Sequence, residues 1–99
     1  MQLLRRAKAW DYWLHIRDLP GSHGILRRNK GRKIKDHELE EAGQFVASAS
    51  LGGRKEFRDG EVIDLIVTEI RYVQPIKGDK HGRVTIKNDR NLRIRFKVL

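Results

Sequence analysis

Trp13-Leu14-His15-Ile16-Arg17-Asp18-Leu19-Pro20-Gly21-Ser22-His23 spells out a strand, a tight turn and the start of a returning strand. Tyr12, Leu14 and Ile16 alternate with Trp13, His15 and Arg17, and residues two apart on a strand share a face. One face is therefore apolar. The other carries an indole, an imidazole and a guanidinium, too polar for plain core and too aromatic for plain surface. Pro20 presets the turn dihedral, Gly21 tolerates a positive φ, and Ser22 can satisfy backbone donors in the turn. His23 to Arg28 then reads as the second strand, so an antiparallel sheet starts here.

Upstream, Leu3, Leu4, Ala7 and Trp10 recur at roughly helical spacing, with Arg5, Arg6 and Lys8 opposite. That predicts a short amphipathic helix whose charges form its wet face. Downstream, the run from Arg27 to Lys35 holds six cations and no acid, which predicts a mobile basic loop suited to phosphate. Asp36 is placed as an N-cap, and Glu38, Glu40 and Glu41 favour the positive end of a helix dipole. Leu39, Ala42, Val46 and Ala49, with Phe45 beside them, form one apolar stripe that Gly52-Gly53 should end. The stripe reads as core packing.

Glu61 to Val73 is β-rich with apolar residues in both phases, which predicts a long central strand covered on both sides. Val84 and Ile86, then Leu92, Ile94, Phe96 and Val98, alternate with cations on either side of the turn Asn88-Asp89-Arg90-Asn91. The pattern predicts a hairpin with one apolar and one basic face. Arg83, Lys87, Arg93, Arg95 and Lys97 would share the basic face, at a repulsive cost that a bound polyanion relieves.

Ninety-nine residues allow one small domain, here taken as 1–99. The absence of cysteine excludes disulfides and thiolate metal sites, and the net charge of +9 points to a polyanionic partner. No apolar run approaches a membrane span, and the start has no signal-peptide core, so a cytoplasmic protein is expected. His15, His23 and His37 lack the further ligands a metal needs, and no cofactor is expected. Ser22 beside His23 is a poor nucleophile–base pair, because neighbours on a strand face opposite ways. Gly78-Asp79-Lys80-His81-Gly82 is no P-loop. It reads as a turn whose backbone donors, with Lys77, Lys80 and His81, meet phosphates.

The stretch at 13–23 closely resembles the signature of the NFACT-R domain, an RNA-binding module. That domain ends the large RqcH-type proteins of ribosome-associated quality control, often labelled fibronectin-binding proteins in bacteria. A second block, Tyr72-Val73 followed by Gly78, Lys80, Gly82, Val84 and Thr85, is similar to the family's Y-V-x-x-x-x-G-x-K-x-G-x-V-T pattern. Leu39, Glu40 and Ala42 fall in an Ala-rich helix, as in the family. The family's domain begins with a β-hairpin that is expected to be missing here.

The fold expected is α+β: an antiparallel sheet of about four or five strands packed by one main helix, with a short N-terminal helix. The function expected is non-enzymatic RNA binding by a monomeric module. The resemblance implies tRNA or rRNA of the large ribosomal subunit as partner. Trp13, His15 and Arg17 would stack on bases, with His23 beside them in the RNA-binding set, or Trp13 would be core. Arg27, Arg28, Arg32 and Lys33 would supply general phosphate affinity. Lys77, Lys80, His81 and the five hairpin cations would continue the same basic surface. Two alternatives stand beside this reading: a fibronectin- or peptide-binding adhesion surface, and a small RNA-processing enzyme.

Overall fold

The structure is a computed structural model that describes residues 7–17, 23–50 and 58–97. Strands β1 (Tyr12–Ile16) and β2 (His23–Leu26) pair antiparallel, with His15 opposite His23. The Pro20-Gly21 turn and Ser22 lie outside the described residues. Helix α1 (Asp36–Ala49) follows, then β3 (Val62–Glu69), a 3-10 turn over Ile70–Tyr72, β4 (Val73–Pro75), β5 (Val84–Ile86) and β6 (Arg90–Arg95). β2, β1, β3 and β6 form one antiparallel sheet in that order, and β4 and β5 form a second, two-stranded sheet. The α+β architecture with one main helix is as the sequence pattern requires.

β3 is the centre of the large sheet. It pairs with β1 from Tyr12↔Glu69 to Ile16↔Leu65 and with β6 from Val62↔Arg95 to Val67↔Arg90. Ile63, Leu65 and Val67 point to one face, where they join Leu14, Ile16, Ile94 and Phe96. Helix α1 covers that face with Leu39, Val46 and Ala47. Two glycines set the distance. A Cβ on Gly24 of β2 would lie 2.5 Å from Val46 Cγ2, and one on Gly43 of α1 would lie 3.2 Å from Leu92 Cδ2. The backbones approach where side chains would hold them apart.

Several expectations are corrected. The apolar stripe of α1 is rotated: Gly43 and Ala47 are buried, Ala49 is exposed, and Phe45 is 71% exposed. Gly43 carries no hydrophobic signal, so a pattern scored on apolar side chains misplaces the contact line. The N-cap is Lys35, not Asp36, and it makes no side-chain capping bond; Asp36 is already helical. The helix ends with Ser50 as C-cap, and Gly52-Gly53 lie outside the described residues. The helix expected over 1–10 falls mostly outside them too. Residues 8–11 form a turn, closed by Asp11 N donating to the Lys8 carbonyl at 3.0 Å.

The predicted long strand stops at Glu69, where the 3-10 turn redirects the chain into β4. The predicted hairpin of the last quarter does not form. β5 pairs with β4 and β6 pairs with β3, so residues adjacent in sequence enter different sheets. Asn88 makes the break at φ 52°, a left-handed conformation that asparagine tolerates. In register, β6 places Ile94 opposite Ile63 and Leu92 opposite Leu65, which buries more apolar surface than the three-residue β5 can offer. The two sheets are tied by the Thr68 hydroxyl, which donates to the Lys87 carbonyl at 2.7 Å.

The close helix–sheet approach is testable. Gly24→Ala should cost about 1–3 kcal/mol in urea unfolding, the usual penalty for overpacking. Val46→Ala in the same chain removes the clashing Cγ2, so the double variant should be more stable than the sum of the two single effects implies. Simple additivity would show that Gly24 does not set the spacing.

Candidate nucleic-acid interface

The face of the large sheet away from α1 is built by period-two alternation on three strands. β1 contributes Trp13, His15 and Arg17; β3 contributes Asp64, Ile66 and Thr68; β6 contributes Asn91, Arg93 and Arg95. Register aligns them: His23, His15, Ile66 and Asn91 form one row across the four strands, and Asp64 stands opposite Arg93. The sheet thus brings His15 and Arg17 to the same face as Arg93 and Arg95, with β3 between them.

Asp64 is the hub of this face. It accepts from Arg93 Nε at 2.9 Å and from Asn91 Nδ2 at 3.0 Å. Asn91 Oδ1 in turn accepts from Arg17 Nε at 2.9 Å, and Arg17 also lies 3.7 Å from Asp89. The Arg93 guanidinium, then the Asn91 amide, hold the Asp64 carboxyl down at about 2. The cations on this face are therefore not left to repel one another. The repulsive cost expected for the basic face is offset by a cross-strand carboxylate.

Trp13 is core and does not present a ring to a base. It is 5% exposed, and its ring is stacked on His15 at 5.6 Å and on His23 at 6.3 Å. His15 Nδ1 lies 2.6 Å from the Ile16 carbonyl, which can only accept, so the proton sits on Nδ1. Burial, and secondarily the neighbouring His15, lowers the His23 pKa, so His23 favours a neutral ring rather than a phosphate-binding cation.

The basic segment after β2 is anchored rather than loose. Arg28 donates to the Trp10 carbonyl at 2.6 Å, to the Arg32 carbonyl at 2.9 Å and to Glu69 at 2.8 Å, and lies 4.5 Å over the Tyr12 ring. Arg32 grips Glu38 with two bonds, and Ile34 is buried. Arg28 is half-buried and fastened to the fold by its bonds, whereas Arg27, Arg32 and Lys33 are exposed, Arg32 in a surface ion pair with Glu38.

The 78–82 loop is likewise corrected. The amides of Asp79, His81 and Gly82 bond within the loop rather than outward. Asp79 accepts from the amides of His81 and Arg83 and from the Arg83 guanidinium at 2.8 Å, and Gly78 and Gly82 take positive φ to let the chain wrap around it. The Asp79 carboxyl is held at about 2, first by Arg83. Lys77, Lys80 and His81 remain exposed on the outside of the loop, and Lys87 and Lys97 are exposed elsewhere. Arg95 is exposed while donating to the Gly60 carbonyl at 3.0 Å.

A division of labour emerges. The carboxylates that fasten the fold are held by arginines: Arg28 and Arg71 on Glu69, Arg32 on Glu38, Arg83 on Asp79, Arg93 on Asp64. Every described lysine is exposed. Sequence reasoning misses Lys8, Trp10 and Lys30, which line a groove with Arg27 and Arg28. Helical spacing puts Trp10 on a helix face, and no local pattern reveals its pairing with Arg28. Among the described residues there is no group of three or more His, Asp or Glu able to hold a metal ion, and no helix is long and apolar enough to cross a membrane.

No protein-family model matches the chain. The chain is 32% identical over 81 residues, 82% of its length, to the Rqc2 homolog RqcH of Bacillus subtilis strain 168. It is 25% identical over 92 residues, 91% of its length, to the Rqc2 homolog RqcH of Streptococcus suis strain 05ZYH33. It spans 13% and 15% of the length of those two relatives. Its fold matches the C-terminal structure of the fibronectin/fibrinogen-binding protein of Streptococcus suis, with a TM-score of 0.78 and 24% identity over 97% of this chain and 36% of that one.

The hub role of Asp64 gives a pH prediction. Its folded pKa is depressed from 3.8 to about 2, so its stabilising contribution is complete above 3.8 and is lost as pH falls through about 2. Carboxyl carbon NMR should show Asp64 titrating near 2, and Arg93→Ala should raise that midpoint toward 3.8. An unmoved midpoint would mean that Arg93 does not hold the carboxylate.

Proposed function

We propose that this NFACT-R-like domain is a non-catalytic RNA-binding module of ribosome-associated quality control, gripping tRNA or large-subunit rRNA in the cytoplasm. The observation that carries the reading is the separation of the two cation types. Arg17, Arg28, Arg32, Arg71, Arg83 and Arg93 are ion-paired with carboxylates, most of them at the surface, while every described lysine faces solvent on a chain of net charge +9. Lysine binds phosphate as a compact point charge without a fixed fork geometry. A surface of exposed lysines therefore gives affinity for a polyanion backbone and little base discrimination. Lys77 and Lys80 in the loop joining β4 and β5 and Lys87 just after β5, with Lys33, Lys97 and Arg95, are the groups assigned to that work. Arg17 and Arg93 act with them from the sheet face, already oriented by Asn91 and Asp64.

Binding of tRNA, an rRNA hairpin and duplex DNA at two salt concentrations tests the proposal. Changing Lys77, Lys80 and Lys87 together to Ala should weaken every RNA by a similar factor. It should also reduce the slope of log affinity against log salt by roughly one unit for each phosphate that is no longer neutralised. The unfolding midpoint should stay put. Arg28→Ala should do the reverse, lowering stability by about 1–3 kcal/mol, because Glu69 loses one of its two arginine partners and the Trp10 and Arg32 carbonyls lose a donor. Tight binding to fibronectin with no preference for RNA would favour the adhesion reading. RNA cleavage by the purified chain, abolished by His23→Ala, would favour the enzyme.

A further inference from the structure

We propose that the groove between the turn at 8–11 and the segment 27–32 is a nucleotide subsite, which stacks one unpaired base on Trp10 and takes the flanking phosphates on Lys8, Arg27 and Lys30. The proposal rests on the RNA-binding reading above and adds a site to it. The groove encloses about 490 Å³, within the range of about 300–1,000 Å³ usual for small-ligand clefts.

Its walls are fixed before any ligand arrives. The Trp10 indole N–H donates to the Arg28 carbonyl at 2.9 Å, and Arg28 Nε returns a bond to the Trp10 carbonyl at 2.6 Å. The indole bond anchors one edge of the ring, and the Arg28 bond holds the Trp10 main chain. Asp11 forms the floor. It is 1% exposed, and its two carboxylate oxygens accept from the amides of Lys8 at 2.8 Å and Arg28 at 3.0 Å. The one acid lining the groove is thus occupied by backbone donors and withdrawn from the surface.

The cations of the groove fall into two sets. Arg28 and Arg32 are neutralised by Glu69 and Glu38. Lys8, Arg27 and Lys30 are exposed at the rim. Lys30 Nζ sits 5.7 Å from the centre of the half-buried Trp10 ring. An ammonium over an indole at a wet site is a weak contact, and it marks where a planar group would stack. A base entering on that face would displace Lys30, whose flexible stem lets its ammonium move onto a flanking phosphate on the far side of the ribose. An aromatic platform flanked by lysine and arginine is the arrangement that binds single strands, since every base has a π-face and every nucleotide a phosphate. A continuous duplex keeps its bases stacked and offers nothing to Trp10.

The test compares a short single-stranded oligoribonucleotide with a blunt-ended RNA duplex of two strands, using the whole chain. The Trp10 indole N–H resonance should shift on adding the single strand and stay still on adding the duplex. Trp10→Leu should weaken affinity for the single strand about tenfold, in line with stacking energies per base, and less than twofold for the duplex. Trp10→Phe should restore most of that affinity. Arg27→Ala with Lys30→Ala, both surface changes that leave the fold intact, should weaken single-strand binding by a comparable factor. If Trp10→Leu unfolds the chain, the indole shift and the Arg27/Lys30 variant decide the matter. A wild-type chain that binds both RNAs, with no indole shift and undiminished single-strand binding in the Arg27/Lys30 variant, overturns the subsite and leaves the RNA-binding reading standing. A wild-type chain that binds neither RNA overturns both. Capture of an acidic peptide in this groove without any RNA binding also overturns the subsite.

Discussion

The contact between α1 and the sheet across Gly24 and Gly43 constrains everything else in this fold. With side-chain-free backbone on both surfaces, the helix sits close enough for Val46 and Ala47 to reach Leu14 and Leu65 and exclude water from them. One helix can cover one face of a four-stranded sheet and no more. The apolar residues of β1, β3 and β6 are drawn to that face by their period-two pattern, and their polar alternates are left on the other. The polar face, with His15, Arg17, Asp64, Asn91 and Arg93, is thus a consequence of where the helix lies.

A sheet face that collects several guanidiniums needs something to stop their mutual repulsion. Asp64 does so from the central strand, bonded directly to Arg93 and through Asn91 to Arg17. The same solution recurs at Asp79 for Arg83 and at Glu69 for Arg28 and Arg71. Each carboxylate takes an arginine because the planar fork can satisfy two acceptor positions at once, where an ammonium offers a point charge. Lysine gains less from such a site and stays in water. The net positive charge is therefore concentrated, at the surface, in the side chains that form the least directional bonds.

The regular parts of this arrangement are legible in the sequence. Strict alternation places Leu14 and Ile16 inward and His15 and Arg17 outward, and the 3.6-residue recurrence finds α1 with its buried Leu39 and Val46. What escapes is set by long-range pairing. Val84 to Val98 reads locally as a hairpin, and only the competition of β6 for the exposed edge of β3 separates it from β5. Arg28 reads as one cation in a basic run, yet its partners Trp10 and Glu69 lie 18 and 41 residues away. Charge composition finds such an arginine but cannot say whether it serves a ligand or the fold. The rotation of the α1 stripe has a similar origin: Gly43 contributes to packing by the side chain it lacks.

The distribution of anchored and exposed cations also bears on how selective the surface can be. An arginine already held by a carboxylate has its direction fixed, and the N–H groups it does not use there point along that direction. Arg17 and Arg93 are in this position on the sheet face. A phosphate reaching them must come to a defined place, because Asp64 and Asn91 have spent the rotamer freedom in advance. The lysines on the loops impose no such requirement, since their ammonium groups follow the phosphate. Under the proposed RNA-binding role, orientation of a bound strand should come from the few braced arginines on the sheet face, and the bulk of the salt-dependent affinity from the lysines around it. On that division, lengthening the loops or shuffling their lysines would alter strength more than placement, whereas moving Asp64 would disturb placement even though an acid makes no favourable contact with phosphate itself.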